Sequence, residues 1–334
     1  MARTANQAIL ARYFNTGQFN RHDLIVGGLS PSLLFKRNAS RAITVFNNSH
    51  PHPSTGNALS YSIPHYKGSV KAVTDISDYL KQTVSPFLVG AYVHGSLATD
   101  ENIGYSDFDG LLILKNELFK DPVQLKNVAE HISKTYSLMI QFDPLQHHGW
   151  FILTESDLSD FPNSYFPTVL FDHAASLLEQ GTSLKINTAP AQAGFSGQLK
   201  RLAHSVIGKL DSGKGMQNMY TLKGMLSEFM LLPSLYLECK TGQGVFKKYS
   251  FEQAKCDFQE HEWSIMDEVS GIRSGWNYHP SWTLNEVPVC VTPLLKKIQA
   301  RNAGSIPDTI LNTMDAAFTD RMRILAKLFI ERSV

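Results

Sequence analysis

The sequence predicts an α+β protein in which a mixed sheet flanked by helices is followed by a bundle of helices. Three observations lead there. Between residue 69 and residue 153, helix-period segments alternate with short apolar runs of strand character. Beyond residue 198, only long helical patterns recur. Between these regions, residues 188–197 carry Pro190 and Gly194 and read as a junction. The expected organisation is a basic extension over residues 1–68, a catalytic-type unit over 69–190, and a helical substrate-binding unit over 191–334.

The elements follow in order. Residues 7–14 read as a short helix with Ile9, Leu10 and Tyr13 on one side. Residues 24–29, 41–46 and 58–63 read as extended pieces, broken by Gly27-Gly28 and by the His-Pro tract of residues 50–56. Val70, Val73, Ile76, Leu80 and Val84 recur at helical spacing, and Ser85-Pro86 stops that helix before a strand over residues 87–93. A second apolar run covers residues 110–114. Asp121-Pro122 opens a second helix through Thr135, with Val123, Val128, Ile132 and Tyr136 facing inward. Residues 137–142 read as a strand and residues 148–153 as its antiparallel return. Residues 169–180 read as a helix ending at Gly181. Helical patterns then cover 198–214, 217–240, 250–261 and 308–332. The stripe Leu222, Met225, Leu226, Phe229, Met230 and Leu232 reads as bundle interior.

Composition narrows the function classes. With 43% hydrophobic and 18% charged residues in 334, the chain can bury a sizeable core. No apolar run approaches the roughly 18 residues of a membrane span, and the first residues lack a signal-type apolar segment. Cys239, Cys256 and Cys290 match no zinc or disulfide spacing, which suits a reducing cytoplasm. Residues 1–74 hold eight Lys or Arg against Asp23, a charge of +7 in a chain of net +1. Such a segment either contacts RNA or another acidic partner, or covers the acidic remainder of its own molecule; the scattered placing of the charges favours the second.

The chemistry concentrates in Val93-His94-Gly95-Ser96 and, ten residues on, Ser106-Asp107-Phe108-Asp109. In an extended chain Asp107 and Asp109 share a face, with Cα atoms roughly 6.6 Å apart at about 3.3 Å per residue. Carboxylates at that spacing can bracket a hard divalent ion such as Mg²⁺, which binds one or two carboxylates plus phosphate oxygens. Gly95 lets the backbone approach a phosphate, and Gly95-Ser96 offers N–H groups and a hydroxyl to it.

A Gly-Ser pair, ten residues and an Asp-x-Asp between two apolar strands resembles the DNA polymerase β-like nucleotidyltransferase superfamily. The pattern is most similar to the kanamycin nucleotidyltransferase-like and minimal nucleotidyltransferase groups. The resemblance covers roughly residues 70–180. It implies a nucleotidyltransferase-type mixed sheet, Mg²⁺, and a nucleoside triphosphate (ATP is the expected one). The implied reaction moves a nucleoside monophosphate to an acceptor hydroxyl and releases pyrophosphate. Gly95 and Ser96 would grip phosphate, and Asp107 and Asp109 would be metal ligands. The acceptor stays open between a small hydroxylated molecule, a tRNA end and a protein hydroxyl; a non-catalytic nucleotide sensor is the alternative outside catalysis.

The resemblance also implies a third carboxylate on a neighbouring strand. Asp143 is the expected residue, as metal ligand or proton acceptor, with His148 and Gln141 as alternatives for the place. A cation from the helical part is expected on the triphosphate, and Lys223 and Lys247 (beside Lys248) are the candidates. The aromatic loop 274–282 is expected to pack on the bundle or to stack a ring.

Overall fold

The computed structural model describes residues 56–163, 165–178, 182–188, 195–279 and 298–333. The expected helix over 7–14, the extended pieces at 24–29 and 41–46 and most of the His-Pro tract lie outside them.

Four strands form the main sheet: β2 (Leu88–His94), β3 (Gly110–Leu114), β4 (Phe151–Thr154) and β5 (Ala174–Ser176), in the order β4-β3-β2-β5. β2 runs antiparallel to β3 and to β5, and β3 runs parallel to β4, so the sheet is mixed. Every residue of β3 is buried, as expected for a central strand covered on both faces. One cover is a pair of helices, α1 (Lys71–Thr83) and α2 (Pro122–Phe142), whose Val73, Ile76, Leu80, Val128, Ile132 and Met139 pack on Leu112 and Leu114. The other is a two-stranded antiparallel ribbon of β1 (Asn57–Ile63) and β6 (Thr182–Thr188), packed with Phe161, Phe166 and Phe171 against Leu111 and Ile113.

Seven labelled helices follow: α3 (Phe195–Asp211), α4 (Met219–Phe229), α5 (Leu232–Thr241), α6 (Lys247–Lys255), α7 (Glu260–Ser274), α8 (Asp308–Thr313) and α9 (Ala316–Glu331). Leu222, Met225, Leu226, Phe229, Met230 and Leu232 are all at most 1% exposed and form the interior of this bundle. The expected helix over 217–240 is two helices. Pro233, in the first turn of α5, supplies no N–H to continue the preceding ladder, so α4 ends at Phe229. The helix expected over 308–332 also breaks, where Asp315 caps α9 by accepting the Phe318 N–H.

Three further expectations are corrected. Residues 137–142 are the last turns of α2 and not a strand: Ile132, Tyr136, Met139 and Ile140 continue one buried face at helical period. Asp143 therefore sits at a helix C-terminus, ahead of Pro144. The strand near residue 150 is the parallel neighbour of β3 and not an antiparallel return. Of the helix expected over 169–180, the described residues 169–178 form a 3₁₀ turn (Thr168–His173) followed by β5, because pairing with β2 along Val93 and His94 outweighs weak local helix preference.

Glu238 on α5 is only 4% exposed, and no group among the described residues bonds its carboxyl. Burial pushes that carboxyl from 4.5 up to about 7. The folded chain thus holds a proton that the unfolded chain releases. The stability this gives is complete below the unfolded value and is lost as pH rises through 7, an effect on the order of 3 kcal/mol. Glu238→Gln should flatten the pH dependence of the thermal midpoint between pH 4.5 and 8 and raise it at pH 8. Melting curves across that range check it.

Candidate active site

The sheet topology gathers one set of residues at one edge. β2 ends at His94 opposite Ala174 of β5, and Val93 pairs with Gly110 at the start of β3. β4 runs parallel to β3, so His148, three residues before Phe151, arrives at the same edge. Gly95 turns the chain out of β2 with φ +70, a conformation a side chain resists. A Cβ there would stand 3.2 Å from Asp109 Oδ2, so the glycine also brings the turn close to the carboxylate. Ser96 follows in the 3₁₀ turn Gly95–Leu97, and its hydroxyl donates to Ser106 Oγ at 3.0 Å.

Asp107 and Asp109 lie just before β3 in extended chain. Phe108 between them is fully buried and meets Trp150 edge-on, so the carboxylates are left on the opposite side. A side chain completes the backbone pairing here. The Phe108 N–H donates to Gln146 Oε1 at 2.9 Å, and Gln146 Nε2 donates to the Phe108 carbonyl at 2.8 Å. On the other side, the His94 N–H donates to the Asp109 carbonyl at 3.0 Å.

Three cations surround the pair. His148 Nε2 lies 3.2 Å from Asp109 Oδ1 and 3.9 Å from Asp107 Oδ2. Burial opposes charge on this imidazole, but the two carboxylates prevail and raise it to about 9. Lys223 reaches in from α4 with a fully buried side chain. Its ammonium contacts Asp107 Oδ1 and lies 2.7 Å from Asp143 Oδ2. Burial raises Asp107, yet the Lys223 charge overcomes it and holds this carboxyl at about 2. Asp143 moves the other way: burial dominates and Asp107 adds to the rise. Lys247, at the start of α6, is the third. Burial and neighbouring Arg273 lower it to about 8, while Asp109 and Asp107 pull it upward.

Of the residues the sequence singles out, Asp107, Asp143 and Lys223 come together through direct contacts, His148 links Asp107 to Asp109, the Gly95 turn abuts Asp109, and Lys247 is within electrostatic reach. Ser96 lies on the turn itself. Asp143 is not on a strand: its Oδ1 accepts the Leu145 N–H at 3.0 Å and its Oδ2 faces Lys223. Lys248, unlike Lys247, pairs with the exposed Glu101. Trp276 of the aromatic loop is buried edge-on against Tyr105. Sequence reasoning missed Gln146 and Arg273. Nothing local marks Gln146, which looks like one residue of a turn. Arg273 lies 5.7 Å above the Tyr105 ring, a contact across more than half the chain.

The donor chemistry suits a hard cation. Among the described residues no group of three or more His, Cys, Asp and Glu forms a ready-made metal cage. However, Asp107 Oδ2 and Asp109 Oδ1 both turn toward one positive point, the His148 Nε2. Two such oxygens completed by phosphate oxygens and water are the set Mg²⁺ takes.

The sequence matches no protein-family model and no curated protein. Among solved structures the chain is similar to that of spectinomycin adenyltransferase AAD(9) from Enterococcus faecialis with ATP and spectinomycin. The TM-score is 0.35 and the identity 11%, over 70% of this chain and 100% of that chain. Likeness at that level settles no activity, so the function is argued from the residues. No described helix is long and apolar enough to cross a membrane.

The carboxylate cradle makes His148 a reporter. In an NMR titration its ring should titrate near pH 9, and in Asp109→Asn it should move down toward the ordinary 6.5, because the nearer negative charge is gone. An unchanged midpoint would mean the imidazole is held by other groups.

Proposed function

We propose that the chain is a nucleotidyltransferase that moves a nucleoside monophosphate, with ATP as the expected donor, onto the hydroxyl of an acceptor. One observation carries the reading: a Gly-Ser turn with positive φ abuts Asp109, and Asp107 and Asp109 present oxygens to a single cationic point beside it. A phosphate cradle next to a pair of hard oxygen donors is what in-line phosphoryl chemistry requires. The edge of the sheet supplies both.

In this reading the Gly95-Ser96 backbone and hydroxyl hold the terminal phosphates. Asp107 and Asp109 would hold Mg²⁺, which when bound would offset charge on the triphosphate and on the departing pyrophosphate. Lys247, at the start of α6, lies within electrostatic reach of Asp109, Asp107 and Arg273, which stands in the last turn of α7 over the Tyr105 ring; neither cation has an ion-paired acid among the described residues. They are assigned to the same anionic phosphates. The acceptor oxygen bonds to the α-phosphorus as the α–β bridging bond breaks, so the two reacting oxygens must lie in line. His148, charged at neutral pH by its carboxylate neighbours, orients Asp109 until a stronger cation replaces it.

The acceptor proposed is a small hydroxylated molecule. The expectation of RNA rests on the basic first segment, and six of its eight basic residues (Arg3, Arg12, Arg21, Lys36, Arg37 and Arg41) lie outside the described residues. Asp107→Asn and Asp109→Asn should each abolish Mg²⁺-dependent transfer of label from α-labelled ATP, with the fold retained. Lys247→Met should slow transfer by about 10²–10³-fold, the usual cost of losing one group that stabilises transition-state charge. Full incorporation by the Asp107→Asn/Asp109→Asn double variant would remove the reading.

A further inference from the structure

We infer that Lys223 is a positioning residue for Asp107: its ammonium, held by Asp143, turns one oxygen of Asp107 away and leaves the other for the site. The inference deepens the nucleotidyltransferase reading and rests on it where metal is concerned. Sequence reasoning puts Lys223 on phosphate and Asp143 on metal; the geometry points both residues at each other.

The argument starts from exposure. The Lys223 side chain is 0% exposed, so its charge is permanently enclosed and needs carboxylates of its own. It has two, Asp107 Oδ1 and Asp143 Oδ2. Further donors and contacts fix the lysine in place. The Tyr105 hydroxyl donates to the Lys223 carbonyl at 2.8 Å and bonds Ser227 Oγ at 2.8 Å, and the ammonium lies 5.2 Å from the centre of the Tyr105 ring. An ammonium so enclosed is poorly placed to meet a triphosphate that arrives from solvent. Its first consequence falls on Asp107, where Oδ1 is taken and Oδ2 faces the His148 side.

The second consequence runs through Asp143. Its Oδ1 accepts the Leu145 N–H at 3.0 Å and its carbonyl accepts the Gln146 N–H at 3.0 Å, so Asp143 organises the turn that carries Gln146. Gln146 in turn pairs with both backbone groups of Phe108. Lys223 therefore reaches the Asp-Phe-Asp segment twice, directly at Asp107 and through the turn at Phe108. Helix α4 of the bundle thereby sets the geometry of carboxylates that belong to the sheet.

The test compares the wild-type chain with Lys223→Met and Asp143→Asn. Asp143→Asn keeps an acceptor for the Leu145 N–H while removing the charge, and it decides the matter alone if Lys223→Met does not fold. Mn²⁺ binding by electron paramagnetic resonance should weaken in both variants by about 10–100-fold, the usual effect of losing a partner that orients a metal ligand. Amide exchange at Phe108 should quicken in both. Binding of inorganic pyrophosphate without metal, followed by calorimetry, should be unchanged. Loss of pyrophosphate affinity in Lys223→Met alone would make the lysine a phosphate ligand and overturn the inference, as would unaltered Phe108 exchange in both variants. If the wild-type chain binds neither Mn²⁺ nor pyrophosphate, the nucleotidyltransferase reading fails instead, and Phe108 exchange still decides whether Lys223 and Asp143 position the segment.

Discussion

A buried side-chain amide does the work of a missing strand. The segment from Asp107 to Asp109 precedes β3, and Gln146, fully buried, satisfies both backbone groups of Phe108. An unpaired buried N–H or carbonyl costs about 1–3 kcal/mol, so this double bond is a strong reason for the chain to stay extended there. Extension is what places Phe108 in the core beside Trp150 and both carboxylates on the other side. The same amide also donates to the His148 carbonyl at 2.8 Å. One residue thus aligns the acids and the imidazole that faces them.

Charge balance sets the second constraint. Asp107, Asp109 and Asp143 crowd one edge of the sheet, and like charges at such range disfavour one another. Lys223 and His148 compensate, each shared between two carboxylates. Removing one member of a buried pair typically costs about 3–5 kcal/mol, because the other charge is stranded. The arrangement is therefore costly to alter yet leaves some attraction unspent. Asp109 is about one-third exposed and its immediate partner is an imidazolium that is itself partly exposed. The Lys223 counter-charge is fully enclosed, and the His148 counter-charge is reached by solvent.

Local chemistry decides what the sequence makes legible. The Gly-Ser turn and the Asp-x-Asp step are legible because each depends on neighbours within a few residues: a positive φ at Gly95 and alternation about Phe108. The helix over 71–83 and the buried stripe of α4 are legible for the same reason, as apolar period 3.6. The error at 137–142 came from treating an apolar run as a strand although Tyr136, Met139 and Ile140 extend the earlier period. β5 is three residues long and exists only by pairing with β2, so no local pattern announces it. Gln146 and Arg273 matter through partners 38 and more than 150 residues away in the chain, distances over which sequence pattern carries no signal.

The contacts of the loop before Asp107 carry the argument one step further. Tyr105 is buried between α4 and the Trp276 ring, and a Cβ on Gly104 would stand 2.6 Å from the Trp276 carbonyl. Residues of α4 and Trp276 thus grip the chain ahead of Ser106, and Lys223 of α4 grips Asp107 behind it. A hinge between sheet and bundle at this point would have to break a buried ion pair, two hydroxyl hydrogen bonds and an aromatic contact together. The pair of Lys248 and Glu101 is different: it is exposed, and solvent screens its attraction. Of the contacts described, the Glu101–Lys248 pair is thus the one that solvent and salt weaken most, while the Lys223–Asp107 pair is shielded from both.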